Sequence, residues 1–322
     1  MKFQTEPSPH ILSPDATQRI MGRVLLALSP IVLSGIIHFG FRAILLLVTG
    51  VGAALVGEAA WNAATGRHPT LEDNSAAVTG ALLALSLPPS APYWLAALGS
   101  LFAVVVTKGM GGGLGQNRFN PALAARAMLL LLFPVEMTRY PIPGPWLPIW
   151  DVADVVTAAT PLHQMRMPAL PDFSLWELFF GFIGGSIGEV CSLSVLLGGG
   201  YLLWKGVISP RIPLSYLGTA TLLFLLFPQG QQPVLWMLCQ LLSGSLLFGA
   251  FFFATDYSSS PVTPRGQLLY GVGCGGLTVL FRTVGLYPEG VTYAILLMNA
   301  AVRWLERWTA PRRFGQQKGA AS

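Results

Sequence analysis

Apolar residues fall in long, nearly continuous runs, not in the alternation of a half-buried strand or the single stripe of a surface helix. The runs cover about residues 24–40, 43–61, 76–89, 93–109, 120–134, 186–206, 212–228, 234–255, 267–284 and 290–305. A spanning helix needs about 20 apolar residues. The pattern therefore predicts an all-α polytopic membrane protein with about ten transmembrane helices. Two runs are interrupted: 76–89 is short and ends at Pro88-Pro89, and 234–255 runs into Thr255-Asp256. Broken helices of this kind line sites in many transport proteins.

A weak internal repeat accompanies the runs. At an offset of 169 residues Gly80-Ala81 meets Gly249-Ala250, Pro92 meets Pro261, and Ala125 meets Ala294. Five spans per half is odd, so the two five-helix repeats would be inverted relative to each other. The expected organisation is an N-terminal tail (1–23), a first repeat (24–134), a Pro-rich outer loop (135–174), a second repeat (175–306) and a C-terminal tail (307–322).

Composition sharpens this reading. Of the 322 residues 53% are apolar and only 10% charged, against about 25% charged in a soluble domain. Mean hydropathy is +0.59. A soluble globular enzyme is excluded, and so is a disordered chain. Nineteen Lys and Arg against 14 Asp and Glu give a net charge of +5, which a membrane surface explains better than nucleic acid. The polar first 21 residues lead into consecutive apolar runs without a small-residue cleavage site, so they read as a retained tail and not a signal peptide. With the N-terminus inside, fourteen of the nineteen basic residues fall in inner tails and loops. Arg42, Arg139, Arg166 and Arg282 fall outside, and Arg126 falls within a span. That bias predicts a multi-pass protein of the cytoplasmic membrane with both termini cytoplasmic. The basic C-terminal end would meet anionic lipid. Cys191, Cys239 and Cys274 form no C-x-x-C pair and suggest neither a disulfide framework nor a metal site.

Three charges sit in expensive places. Glu58, Arg126 and Glu189 lie within apolar runs, where a charge costs roughly 2.5–3.5 kcal/mol by insertion scales. Glu58 and Glu189 are ion-path candidates; an Arg–Glu pair that holds helices together is the alternative. The Gly-rich stretch GMGGGLGQNRFN (109–120) is no dinucleotide fingerprint, because no strand precedes it. Its glycines let backbone approach a ligand. Asn117 and Asn120 offer the donors and acceptors that suit a flat heterocycle with imide edges. Asn120-Pro121 equally reads as a helix cap followed by proline in the first turn. In the outer loop, DVADVVTAATPL (151–162) places Asp154, Thr157 and Thr160 close together without any nucleophile–base arrangement.

Taken together, these stretches resemble the RnfD/NqrB family, and its RnfD branch more than its NqrB branch. The resemblance covers nearly the whole chain. It is carried by TGALLALSLPPSAPYWLAALGSLFAVVVTK (79–108), GGGLGQNRFNPALAARAMLL (111–130), GSIGEVCSLSVLLGGGYLLWKGVISPRIP (185–213), FFFATDYSSSPVTPRGQLLYG (251–271) and GLYPEGVTYAILLMNA (285–300). The absence of the long N-terminal extension expected of NqrB favours the RnfD branch.

The resemblance implies a urea-transporter-like fold of two inverted repeats. It implies FMN bound through a phosphoester to threonine in a motif D-x-x-(S/T)-G-A-(S/T). Asp154, Thr157, Ala159 and Thr160 match that motif, with the flavin on Thr160, while Ala158 stands where the motif has glycine. A second, non-covalent flavin, riboflavin, would lie near Asn117 and Asn120. The implied partners are the other members of an ion-translocating electron-transport complex, an FMN transferase for maturation, and lipid. The implied activity is electron transfer between ferredoxin and NAD⁺ coupled to Na⁺ or H⁺ movement, in which the chain is one component and not a catalyst on its own. Two other readings stand beside it: the NqrB component of a Na⁺-pumping NADH:quinone reductase, and a small-solute transporter or channel without redox chemistry.

Overall fold

Backbone N–H and C=O groups find no water partners in hydrocarbon, so apolar runs of this length satisfy them internally as helices. The computed structural model describes residues 17–66, 71–113, 115–143, 161–165, 174–229, 232–285 and 290–310. Among these, every regular element is helical. The first half contains α1 (Thr17–Phe39), α2 (Phe41–Thr65), α3 (Ser75–Leu85), α4 (Tyr93–Leu101, continued by a π-helix over Phe102–Gly109) and α5 (Pro121–Leu132). Three short helices follow: α6 (Pro134–Met137), α7 (Pro161–Gln164) and α8 (Leu175–Phe180). The second half contains α9 (Ser192–Trp204), α10 (Arg211–Leu226), α11 (Pro233–Leu242), α12 (Leu246–Phe248, continued by a π-helix over Gly249–Phe253), α13 (Pro264–Val284) and α14 (Val291–Thr309).

Among the described helices, α1 and α2 are each long and apolar enough to cross a bilayer alone. The α11–α12 pair forms a third candidate, bent by 59°. Ten full-length spans are thus not present as ten unbroken helices. The run expected over 186–206 is the clearest departure: its helix begins only at Ser192, and residues 181–191 are non-helical. That segment, GFIGGSIGEVC, is apolar enough to look like a span but too rich in glycine to hold a helix. Its backbone is satisfied across the bundle instead. Ile187 N–H donates to Leu87 O at 3.1 Å and Gly188 N–H to Leu85 O at 2.7 Å, where α3 ends.

Two arginines placed in outer loops by the charge pattern are buried. The Arg42 guanidinium donates to the carbonyls of Pro89, Ser90 and Ala91 in the break between α3 and α4. Arg282 donates to the carbonyls of Gln240 and Ser243 at the bend between α11 and α12. Each supplies the donors that the end of an interrupted helix lacks.

The 169-residue spacing recurs in the helix starts. The starts of α2 and α10, α3 and α12, α4 and α13, and α5 and α14 differ from it by at most two residues. Residues 86–92 and 255–261 are non-helical at the same relative place. Packing follows suit: α2 packs on α4 as α10 packs on α13, and α1 meets α9 where the halves touch. The interior is filled by side chains such as Phe39, Tyr216, Phe224, Phe248, Phe253 and Tyr270. Leu33, Ile37, Val56, Leu131 and Leu222 lie outward and more than half exposed. So large an apolar outer surface is the mark of a lipid-facing protein.

Candidate functional site

A concave feature lies at the end of the bundle where α5 starts and α14 finishes. It is a cavity of about 590 Å³ between residues 115–119, the 257–262 loop and one face of α14, within the range of small-molecule pockets. Phe119, Tyr257 and Trp304 give it aromatic walls, and Arg118, Arg303 and Arg307 stand around it. Asn117 lies in the wall at 4% exposure, and its Oδ1 is buried with no hydrogen-bond partner. Gly111 borders this oxygen: a Cβ there would lie 3.4 Å from it.

Asn120 has a different job. Its Oδ1 accepts from the N–H groups of Ala122 (3.1 Å) and Leu123 (3.3 Å), and its Nδ2 donates to Phe253 O at 3.2 Å. It therefore caps α5, with Pro121 in the first turn, and ties that helix to the π-helical turn after α12. The capping alternative holds for Asn120, while Asn117 Oδ1 has no hydrogen-bond partner.

Also in the cavity wall stands Asn299, a polar residue that sequence reasoning missed. Its amide lies 2.6 Å from Tyr270 Oη. With its oxygen turned to accept Asn120 N–H at 3.1 Å, its nitrogen faces Ser259 O at 3.1 Å. The available signal was a lone asparagine inside the apolar run AILLMNAAV (294–302).

Both buried carboxylates are paired. Glu58 Oε1 lies 2.6 Å from Lys108 Nζ, which also donates to Ser75 Oγ at 2.5 Å. The charge pattern places Lys108 in an inner loop; it sits instead in the π-helix after α4 at 5% exposure. Glu189 Oε2 lies 3.9 Å from Arg126 Nη2, and Glu189 Oε1 accepts Ser186 N–H at 2.9 Å. Glu189 also lines a cleft of about 20 Å³ with Pro161, Gly184 and Ser243, room for about one water molecule. Glu58 and Glu189 are not brought together with each other or with Asn117 by any described contact. Among the described residues, no group of three or more His, Cys, Asp or Glu could hold a metal, and the three cysteines are free and buried. Asp154, Thr157, Ala158, Ala159 and Thr160 lie outside the described residues, which resume at Pro161.

Comparison with known proteins decides the family. The pattern described as "NQR2, RnfD, RnfE family" matches residues 4–315. This chain belongs to that family. Relatives in it align nearly end to end. The D subunit of the Na⁺-translocating ferredoxin:NAD⁺ oxidoreductase complex of Acetobacterium woodii is 44% identical over 321 residues, covering 99% of this chain and 97% of the relative. The D subunit of the proton-translocating ferredoxin:NAD⁺ oxidoreductase complex of Clostridium ljungdahlii is 38% identical over 330 residues, covering 98% and 97%. The D subunit of the ion-translocating oxidoreductase complex of Halorhodospira halophila is 38% identical over 339 residues, covering 96% and 95%. Family membership agrees with the RnfD/NqrB resemblance drawn from the motifs, and each of these three relatives is the D component of its complex.

Proposed function

We propose that this chain is the RnfD component of an Rnf-type complex: a membrane flavoprotein that carries electrons in ferredoxin–NAD⁺ transfer coupled to movement of Na⁺ or H⁺. The observation that carries the reading is the near end-to-end match to relatives named as the D component of such complexes. Their names differ in the ion moved, so either ion is compatible with this architecture.

The flavin assignments rest on the motif and on fit. FMN would be attached to Thr160, within the Asp154-x-x-Thr157-Ala158-Ala159-Thr160 sequence. The cleft beside Pro161 has room for about one water and would not take the ring. Riboflavin fits the larger cavity. A buried, unsatisfied acceptor costs about 1–3 kcal/mol, and a ring N–H would satisfy Asn117 Oδ1. The aromatic walls suit a flat ring. Asn120 would hold the wall by capping α5, not by touching the ligand.

A bound isoalloxazine supplies one- and two-electron chemistry, and the protein sets its place and surroundings. The chain's own contributions are then the anchoring hydroxyl of Thr160, the acceptor of Asn117 and the aromatic walls of Phe119, Tyr257 and Trp304. In the proposed architecture the two halves are inverted five-helix repeats in the cytoplasmic membrane. Both termini and the Asn117 cavity face the cytoplasm, and the loop that carries Thr160 faces outward, where an FMN transferase would act.

In-gel flavin fluorescence of the denatured chain, expressed with its maturation machinery, tests the attachment. Wild type fluoresces. Thr160→Ala, present in equal amount, does not. Undiminished fluorescence in that variant overturns the site, and a wild-type chain without flavin overturns the electron-carrier reading.

A further inference from the structure

We propose that Tyr270 and Asn299 form a positioning pair that sets the ligand-facing acceptor of Asn117 in the large cavity. This rests on the reading of that cavity as a flavin site.

Four observations converge. Asn117 lines the cavity and its Oδ1 is buried and partnerless, so a ligand N–H that reached it would satisfy it. The turn 117–120 that presents this oxygen ends at Asn120, whose side chain is fully committed to capping α5 and to Phe253 O. The Asn120 backbone N–H is held by the Asn299 amide at 3.1 Å. In that orientation the Asn299 Nδ2 donates to Tyr270 Oη at 2.6 Å, and also faces Ser259 O at 3.1 Å and Ile295 O at 3.2 Å. Tyr270 is fully buried at 0% exposure, so its hydroxyl cannot be replaced by bulk water. The hydroxyl of Tyr270 on α13, together with the carbonyls of Ser259 and Ile295, thus sets the angle at which an amide on α14 receives the turn before α5. Tyr270, which does not line the cavity, acts without touching the ligand, whereas Asn299 is itself part of the cavity wall. A misplacement of the turn by a few tenths of an ångström would lengthen the hydrogen bond from the ring N–H.

The test is titration of the purified full chain in detergent, stripped of non-covalent flavin, with riboflavin, read by quenching of its fluorescence. Tyr270→Phe removes the hydroxyl and keeps the packed ring. Its affinity should fall roughly three- to tenfold, the effect of one lost hydrogen bond. The number of sites at saturation and the covalent flavin band should stay unchanged. Asn299→Ser, whose side chain cannot reach Asn120, should weaken binding at least as much, and it serves as the reading where Tyr270→Phe does not fold. Wild-type affinity in both variants overturns the proposal. So does a fall in the number of sites at unchanged affinity, which marks a merely structural role. If wild type itself binds no riboflavin, the flavin reading of the cavity fails, a result distinct from wild-type-like variants.

Discussion

Lys108 and Glu58 carry opposite charges into the bundle at 5% and 4% exposure. Each ion loses several kcal/mol of hydration there, and attraction offsets the loss only when geometry is good and further hydrogen bonds complete the shell. The pair has the geometry, with a 2.6 Å contact, and Ser75 Oγ adds a hydrogen bond to the lysine at 2.5 Å. Removing one partner strands the other charge. Lys108→Met should therefore cost about 3–5 kcal/mol, and the double variant with Glu58→Leu should recover most of it. Thermal unfolding of the singles and the double in detergent checks this; a single variant as stable as wild type would refute it. The sequence announced Glu58 because a carboxylate inside an apolar run is conspicuous. It hid Lys108, since a lysine at the end of a run reads as a loop charge until the π-helical turn carries it inward. Arg42 and Arg282 were hidden for the same reason: nothing in local sequence tells a guanidinium in water from one that serves the carbonyls of a broken helix 39 to 49 residues away. Asn120 was legible as a cap from Asn-Pro alone, whereas its tie to Phe253 is a tertiary fact.

Helix contacts in this chain are made where side chains are smallest. Gly80 of α3 faces Gly50 and Val51 of α2, and a Cβ at Gly80 would come 2.7 Å from Gly50 O and 2.8 Å from Val51 Cα. Both are backbone atoms of a 25-residue helix, which cannot yield as a side-chain tip would. Close approach at small residues is the main source of helix association in lipid. Gly80→Ala should thus separate α2 from α3 and destabilise by about 1–3 kcal/mol. Gly52→Ala, on the same α2 but with nothing within 4 Å of its added Cβ, should be neutral or slightly stabilising. Paired melting curves decide it, and equal shifts in both would refute the close-packing account. The break after α3 could be read from Pro88-Pro89, because proline removes a donor and disfavours helix in the residue before it. The non-helical 181–191 segment could not be read from hydropathy, which counts glycine, isoleucine and valine alike whether the backbone is wound or extended. Its four glycines were the overlooked signal.

At the scale of the molecule, burial of the hidden charges strengthens the argument for orientation. Arg42 and Arg282 leave the tally of outer loop charges because both serve buried carbonyls. Lys108 leaves the inner tally because it pairs with Glu58. Thirteen basic residues then lie on the proposed cytoplasmic side against Arg139 and Arg166 outside, a steeper bias than the raw sequence offered. Only charges in short loops and tails near the span ends orient a membrane protein, so the corrected tally is the relevant one. Cysteine labelling tests it with little background, since Cys191, Cys239 and Cys274 are all buried. In intact cells stripped of any outer membrane, a membrane-impermeant maleimide should modify Ala169→Cys in the loop that carries Thr160. It should modify Ala321→Cys at the C-terminus only after permeabilisation. The reverse pattern would place Thr160 in the cytoplasm, away from an outward-acting transferase, and the covalent flavin would have to be sought on another face. The expected pattern would put the two proposed flavin positions on opposite membrane faces. This chain would then hold one redox group at each surface, and the intervening distance would have to be bridged by other members of the complex.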